Sequence, residues 1–223
     1  MDEPLRFDLH GAARHDGAAL GMLGQFEAAL APFVHERPGI RLHGVAGLGQ
    51  LLASSSHVGR IVADILGSDA RPVRAILFDK TPGTNWALGW HQDRTIAVRE
   101  RRDMPNFGPW SIKAGIQHVE PPFAIIEDMV TLRIHLDDVP EHNAPLLIAP
   151  GSHRLGRVAE ADLAQVINRF GERTCLASRG DVWAYATPIV HASSAALGYS
   201  RRRVLQVDYT ALALPAPLAW LGI

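Results

Sequence analysis

From Asp16 to Val34 the apolar positions Leu20, Leu23, Phe26, Leu30 and Phe33 recur at steps of three or four, which predicts an amphipathic helix. Pro38-Gly39 closes it. A second helical stretch is predicted from Leu48 to Leu66, with Leu51, Leu52, Val58, Ile61, Val62, Ile65 and Leu66 as its apolar positions and Gly67-Ser68 as its stop. The first seventy residues therefore read as mainly α-helical. After Pro72 the pattern changes to short apolar or alternating runs: Val73 to Phe78, Trp86 to His91, Val130 to Leu136, Leu146 to Ala149, Val182 to Ala186 and Arg202 to Tyr209. Pro82-Gly83, Pro121-Pro122, Pro140, Pro150-Gly151 and Gly198 separate them. One more helix is predicted at Glu160 to Phe170, where Leu163, Val166, Ile167 and Phe170 share a face and Gly171 follows.

This order predicts a mainly β fold with flanking α-helices, a jelly-roll or double-stranded β-helix of the cupin-like kind. It is read as a single domain over 1–223, with a helical part, 1–70, packed on a β core of about 73–210. No repeat, low-complexity segment or linker divides it, and 223 residues suffice for one well-buried core.

Composition narrows the partners. The 22 basic and 23 acidic residues nearly cancel, so no global field favours nucleic acid or a membrane surface, and a small-molecule substrate is the expected partner. Only Lys80 and Lys113 are lysine, and the arginines are scattered apart from Arg201-Arg202-Arg203. The single cysteine, Cys175, excludes an intramolecular disulfide framework and suits a reducing compartment. Met1-Asp2-Glu3-Pro4-Leu5-Arg6 lacks the charged-then-apolar plan of a signal peptide, and nowhere do 18 apolar residues run together. A soluble cytoplasmic protein is expected.

Alternate residues of a strand share a face, so His91-Gln92-Asp93 aims an imidazole and a carboxylate into one cavity while Gln92 faces away. Two histidines and one carboxylate leave three adjacent coordination positions open, the arrangement of non-haem Fe(II) oxygenases. The pair alone is a weak signal: 11 histidines and 23 acidic residues in 223 positions give roughly one such match by chance, and the chain has three. His118-Val119-Glu120 runs into Pro121-Pro122, and His135-Leu136-Asp137 opens an acidic turn, so both have ready readings as strand ends. His91 follows the small and aromatic run Asn85-Trp86-Ala87-Leu88-Gly89-Trp90, suited to a strand lining a cavity. The second histidine is sought on a distant strand, and His191 follows the apolar run Val182 to Ala186. A turn near Gly198 is expected to return the last strand antiparallel beside His191, bringing one arginine of the triplet near the cavity. A guanidinium there would bind a carboxylate through paired charge-assisted hydrogen bonds, while Arg201 and Arg203 read better as a solvated strand start.

His91-Gln92-Asp93, Pro150-Gly151-Ser152-His153, His191-Ala192-Ser193 and an arginine eleven residues past His191 stand in the order found in the phytanoyl-CoA dioxygenase family. The chain resembles that family from about Val73 to Tyr209. The resemblance implies that His91, Asp93 and His191 bind Fe(II), with dioxygen and 2-oxoglutarate as co-substrates, and that Arg202 holds the distal carboxylate of 2-oxoglutarate. Ser193 is implied as an assistant to Arg202, and Lys80 and Thr131 as further contacts of 2-oxoglutarate. His153 is read as a structural loop residue. Where many relatives have Asn-Gly-Pro, this chain has Asn143-Ala144-Pro145, a departure that bears on the turn and not on the metal site. Related iron halogenases carry a small residue in place of the carboxylate, so Asp93 favours hydroxylation.

The long segment Arg99 to Pro122, with Trp110, Lys113, Gln117 and His118, is expected to form a lid or a surface excursion. Two other function classes meet parts of the pattern. One is a cupin-like protein that binds metal or 2-oxoglutarate without turnover. The other is a zinc or manganese hydrolase or isomerase on the same ligands, which leaves Arg202 unexplained.

Overall fold

The computed structural model describes residues 3–33, 39–197 and 200–223. Thirteen strands run through them: β1 (Ala12–His15), β2 (Gly39–Leu42), β3 (Arg71–Lys80), β4 (Leu88–His91), β5 (Ile96–Val98), β6 (Trp110–Lys113), β7 (Ile116–Val119), β8 (Met129–His135), β9 (Leu146–Ile148), β10 (Arg173–Cys175), β11 (Val182–Ala186), β12 (His191–Ser193) and β13 (Arg202–Thr210). The major sheet has the order β1-β11-β8-β13-β3-β2 and the minor sheet β10-β9-β12-β4. All pairings within them are antiparallel. This is the expected double-stranded β-helix, and all six strand stretches read from the sequence are present.

The major sheet separates two chemistries by period-two alternation. Ala75 and Leu77 of β3, Val130, Leu132 and Ile134 of β8, Val182 and Ala184 of β11, and Leu205, Val207 and Tyr209 of β13 face one apolar core. Helices cover that face: α1 (Phe7–His10) lies at its margin, and α2 (Leu23–Leu30), α3 (Leu48–Leu51) and α4 (Gly59–Leu66) contribute Leu23, Phe26, Leu30, Leu48, Ile61 and Val62. The Tyr209 hydroxyl donates to the Leu52 carbonyl at 3.0 Å, satisfying its one polar atom in that core. The opposite face, toward the minor sheet, carries Arg74, Lys80, Thr131, Arg133, Arg202, Gln206 and Asp208, all buried.

The amino-terminal seventy residues are less helical than their periodicity suggests. β1 pairs with β11 and β2 with β3, so two segments to which the periodicity assigns no element close the two edges of the major sheet. Both are four-residue strands, too short to show alternation. The expected helix Asp16 to Val34 is present as a 3-10 turn at Leu20–Met22 followed by α2. Its expected Pro38 stop, like Val34, lies outside the described residues. The stretch Leu48 to Leu66 is two helices, because Ser56 Oγ accepts the Gly59 amide at 2.9 Å and diverts the backbone at Ser54-Ser55-Ser56. The expected helix at Glu160 to Phe170 is a 3-10 turn (Glu160–Asp162) leading into α6 (Leu163–Phe170), after α5 (Phe123–Glu127) earlier in the chain.

The segment Arg99 to Pro122 runs irregularly as far as Pro109 and then forms regular structure. β6 and β7 form a hairpin that pairs with β5 in a third, three-stranded sheet. Ala114 and Gly115, both at positive φ, make its turn. One face of this small sheet, with Ile96, Val98, Val119 and Trp110, packs on Leu214, Leu218 and Trp220 of the carboxy-terminal segment.

The last sequence expectation to change concerns β12 and β13. They lie in opposite sheets rather than side by side: β12 pairs with β4 and β9, β13 with β3 and β8. The connection through Ser200 crosses the sandwich, as jelly-roll connections do. Gly198, the expected turn, is outside the described residues.

Phe26→Ala is expected to lower unfolding free energy by about 3–5 kcal/mol in urea titration, since Phe26 is fully buried between α2 and the sheet. A loss under about 1 kcal/mol would mean that this helical layer is not tightly packed. Ala144 holds φ 51, where glycine is at ease, so Ala144→Gly is expected to raise stability by about 0.5–1 kcal/mol. A decrease in the same titration would contradict that backbone conformation.

Candidate metal centre

His91 ends β4 directly opposite His191, the first residue of β12, and the two rings stand 4.3 Å apart at 55°. Asp93 follows two residues after His91. One ligand atom from each of the three lies within 4.8 Å of the others, and this is the only such cluster of three metal-ligating groups among the described residues. Each histidine is oriented in the same way. His91 Nδ1 donates to the Gly89 carbonyl at 2.7 Å, and His191 Nδ1 donates to the Ile189 carbonyl at 2.9 Å. A carbonyl only accepts, so both Nδ1 atoms carry the proton and both Nε2 lone pairs are left for a metal.

His191 is buried, and burial followed by the charge of His91 lowers it to about 4, which keeps it neutral near pH 7. For Asp93, burial works to raise the carboxyl, but Arg74, then His191 and His91, outweigh it and hold it below its usual value. Arg74 Nη2 is 3.5 Å from Asp93 Oδ2, an ion pair without a hydrogen bond, and that oxygen is buried with no hydrogen-bond partner. Two imidazole nitrogens and an under-coordinated carboxylate converging on one point fit a divalent metal of the iron class.

Neighbouring elements hold these ligands in place. Arg74 is itself bonded to Asp208 and donates to the Thr95 carbonyl at 3.2 Å, fixing it behind Asp93. Gln92, pointing away as expected, donates to the carbonyls of Pro188 at 2.7 Å and Gly156 at 3.0 Å and accepts from the Val158 amide at 2.8 Å. The Pro150-Gly151-Ser152 motif positions the other ligand: Ser152 Oγ accepts the Val190 amide at 2.9 Å, just before His191. His153 packs against Gly11, where even a methyl group would collide with its ring, and takes no part in the cavity.

A cleft open to solvent at its mouth leads to His91 and His191. Phe78, Trp86, Leu88 and Leu146 supply apolar walls, and Lys80, Arg133 and Arg202 supply three cations; among the described residues no acidic side chain lines it. Lys80 Nζ donates to the carbonyls of Trp86 at 2.7 Å and Ser194 at 2.9 Å, and to Ser193 Oγ at 3.2 Å. Burial, then Arg202 and Arg133, lower Lys80 to about 7. Arg202 is 2% exposed, donates to the Ala144 carbonyl and has an unpartnered Nε. Burial and Arg133 lower it to about 9. Arg133 donates to Gln206 Oε1 at 3.1 Å and keeps an unpartnered Nε. The two flanking arginines point away: Arg201 pairs with Asp79 at 2.8 Å, and Arg203 with Asp137 at 2.7 Å and Glu27 at 3.1 Å.

The structure thus brings Lys80, Ser193 and Arg202 to one cavity ending on His91 and His191. Thr131 is a correction. Its hydroxyl is fully buried 3.0 Å from Asp208 and 2.9 Å from the Thr187 hydroxyl, so it supports Asp208 behind Arg74 instead of lining the cavity. Two rival pairs are also explained. Glu120 bonds Arg157 at 3.0 Å while His118 lies on β7, and Asp137 is held by Arg203 while His135 is buried apart from it. Arg74, Arg133, Gln206 and Asp208 were not singled out from the sequence. Period two would have found them: on the faces that carry Lys80, Thr131 and Arg202, the same-side positions include these four.

The family model for phytanoyl-CoA dioxygenase matches residues 42–204. No curated protein matches the chain. Among solved structures, EctD from S. alaskensis in its apoform superposes with a TM-score of 0.67 at 17% identity, covering 97% of this chain and 78% of that one. AviO1 from Streptomyces viridochromogenes gives 0.61 at 22% identity, covering 95% of each chain. HygX from Streptomyces hygroscopicus, with nickel and 2-oxoglutarate bound, gives 0.62 at 16% identity, covering 92% and 84%. At these identities the likeness establishes the fold, and the family match goes further. The chain belongs to the phytanoyl-CoA dioxygenase family of iron- and 2-oxoglutarate-dependent oxygenases.

Proposed function

We propose that the chain hydroxylates a C–H bond of a small molecule, with His91, Asp93 and His191 as the iron ligands and Lys80, Arg133 and Arg202 as the seat of 2-oxoglutarate. One observation carries this reading: three cations line a cavity that has no acidic side chain among the described residues, and that cavity ends on the two histidines of the cluster. Burying like charges together is costly unless an anion joins them, and 2-oxoglutarate brings two carboxylates. A hydrolase or isomerase on the same ligands leaves the three cations without a role. Crystals of HygX with nickel, 2-oxoglutarate and hygromycin B show that this fold admits both kinds of ligand in a relative.

Iron(II) held by the two imidazoles and the carboxylate supplies the activation of dioxygen that is coupled to oxidative decarboxylation. Overall, 2-oxoglutarate, dioxygen and R–H give succinate, carbon dioxide and R–OH. The chain's own residues bind and orient. Arg202 directs its guanidinium into the cavity from β13, anchored at one end by the Ala144 carbonyl. Lys80 adds a second charge, itself located by Ser193. Arg133 lies beside both, held by Gln206, which also accepts from the Tyr185 hydroxyl at 3.3 Å. Phe78, Trp86 and Leu88 keep water from the apolar side of the cavity. Asp93 would offer the metal an anionic oxygen where a halide would otherwise bind, which favours hydroxylation over halide transfer.

Anaerobic titration of the Fe(II) protein with 2-oxoglutarate is expected to produce a visible metal-to-ligand charge-transfer band. The band should be absent in His91→Ala and His191→Ala, and the affinity should fall roughly ten- to hundredfold in Arg202→Ala, as for a lost charge-assisted hydrogen bond. A normal band in His91→Ala would sink the ligand assignment, and unchanged affinity in Arg202→Ala would remove the anchor.

Lys80 sets a pH dependence. Around its ammonium stand Arg202 from β13, Arg133 from β8, the Ser193 hydroxyl and the carbonyls of Trp86 and Ser194, so only like charges face it. Below about 7 it is protonated and attracts the dianion; above that value the free protein must take up a proton to bind. Affinity is therefore expected to fall as pH rises from about 6.5 to 8.5, approaching tenfold per unit, with a much flatter profile in Lys80→Met. Identical slopes in the two proteins would exclude this role for Lys80.

A further inference from the structure

A second basic group stands beside Asp93, apart from the cations of the 2-oxoglutarate cavity. Lys80 and Arg74 share a face of β3 six residues apart, about 20 Å along the strand. At the Arg74 end, edge strand β2 places Arg41 opposite Ile76, on that same inward face. The small sheet presents its other face here. Register puts Lys113 opposite Ile116, and Ser111 and Ala97 opposite His118, so Lys113, Ser111 and His118 share the face turned away from the Trp110 core.

Arg74 joins the two faces by its hydrogen bond to the Thr95 carbonyl, just before β5, at 3.2 Å, and the cations lie within electrostatic reach of one another. Burial, then Arg41 and Arg74, lower the Lys113 ammonium, while Asp93 acts to raise it. Burial and Arg74 lower Arg41. Burial lowers His118 to about 4, with Arg74, Lys113 and Arg41 adding to the effect against the Ile116 carbonyl.

Within this group Arg74 alone is neutralised, by Asp208 and Asp93. Arg41 and Lys113 are half-buried and have no hydrogen bond or ion pair among the described residues; Arg41 Nε is shielded from solvent as well. His118 is 1% exposed, and its Nε2 is buried without a partner. Surface cations normally point to water or to an acid. Here Arg41 stands beside Arg74 and Lys113 within reach of Asp93, next to an open buried acceptor, and among the described residues Asp93, already engaged by Arg74, is the one carboxylate that acts on either.

We propose that Arg41 and Lys113 bind an oxyanion of the substrate, so that the molecule oxidised by this enzyme is an acidic small molecule carrying a carboxylate or a phosphate. The inference rests on the proposed function, because it takes the Asp93 side of the metal as the substrate side. The anionic group is gripped from two separate elements, the edge strand and the hairpin tip. The Nε2 atom of His118 accepts a hydrogen bond from a donor on the same molecule.

The test uses inorganic phosphate and 13C-labelled acetate as probes and Co(II) in place of iron, with and without 2-oxoglutarate. Paramagnetic relaxation of 31P and 13C reports whether each probe is held near the metal. Saturable enhancement is expected for at least one probe, and the responding probe tells phosphate from carboxylate substrates. Arg41→Gln and Lys113→Gln should each weaken that binding by about tenfold or more, with Arg41→Lys and Lys113→Arg restoring most of it. The cobalt spectrum and the 2-oxoglutarate affinity should stay as in wild type. No enhancement for either probe, or enhancement that survives both glutamine variants, overturns the oxyanion site. Loss of 2-oxoglutarate binding by the wild-type protein would instead count against the proposed function, and the probe titrations with metal alone would still decide the anion site.

Discussion

The register of β13 against β3 and β8 governs everything in the interior. Arg202 stands opposite Lys80, Gln206 opposite Arg133, and Asp208 opposite both Arg74 and Thr131. A slip of one residue would turn Leu205, Val207 and Tyr209 into the polar interior and drive the charged set into the helix-covered core. The penalty on both faces would be large, because one face pays for buried apolar area and the other for unpartnered charge. A central strand with opposite chemistries on its two faces therefore fixes its own alignment, and with it the positions of the cations.

Seen as an electrostatic whole, the interior is a basic sandwich in which the acids are few and assigned. Asp208 is committed to Arg74, and Asp93 to the metal cluster. Lys80, Arg133 and Arg202 at one end, and Arg41 and Lys113 at the other, make no hydrogen bond or ion pair with a carboxylate among the described residues. Stability alone would not keep so many cations inside, since apolar residues of similar volume pack there at less cost. Their retention points to anions arriving from outside, one for each end. The only two lysines of the chain fall in these two groups, one in each.

Much of this was legible in the sequence because strand alternation and motif order are local. The six long or strongly apolar strands, the His91-Gln92-Asp93 pair and Arg202 follow from it. What stayed hidden was short or non-local. β1, β2, β10 and β12 have three or four residues, too few for a period to show, and their pairing is decided by distant partners. Thr131 lies on the strand expected to lead to the cavity, but Arg133, two residues on, is the side chain of β8 that lines it. The crossing of β12 and β13 to opposite sheets depends on a connection whose path no local pattern encodes. The lid-like segment turned out to be a hairpin because Ala114 and Gly115 take a left-handed turn that alanine rarely announces.

The amino-terminal segment deserves a different description from the one its distance from the metal suggests. The Gly151 amide donates to the His10 carbonyl at 2.7 Å, the Ala186 amide to the Gly11 carbonyl at 2.9 Å, and Gly11 leaves room for the His153 ring. Ser152, in the same short turn, fixes the residue before His191. Residues 7–12 thus serve as the far end of a truss whose near end is His191. Disturbing residues 7–12 is, mechanically, an intervention at the candidate metal centre.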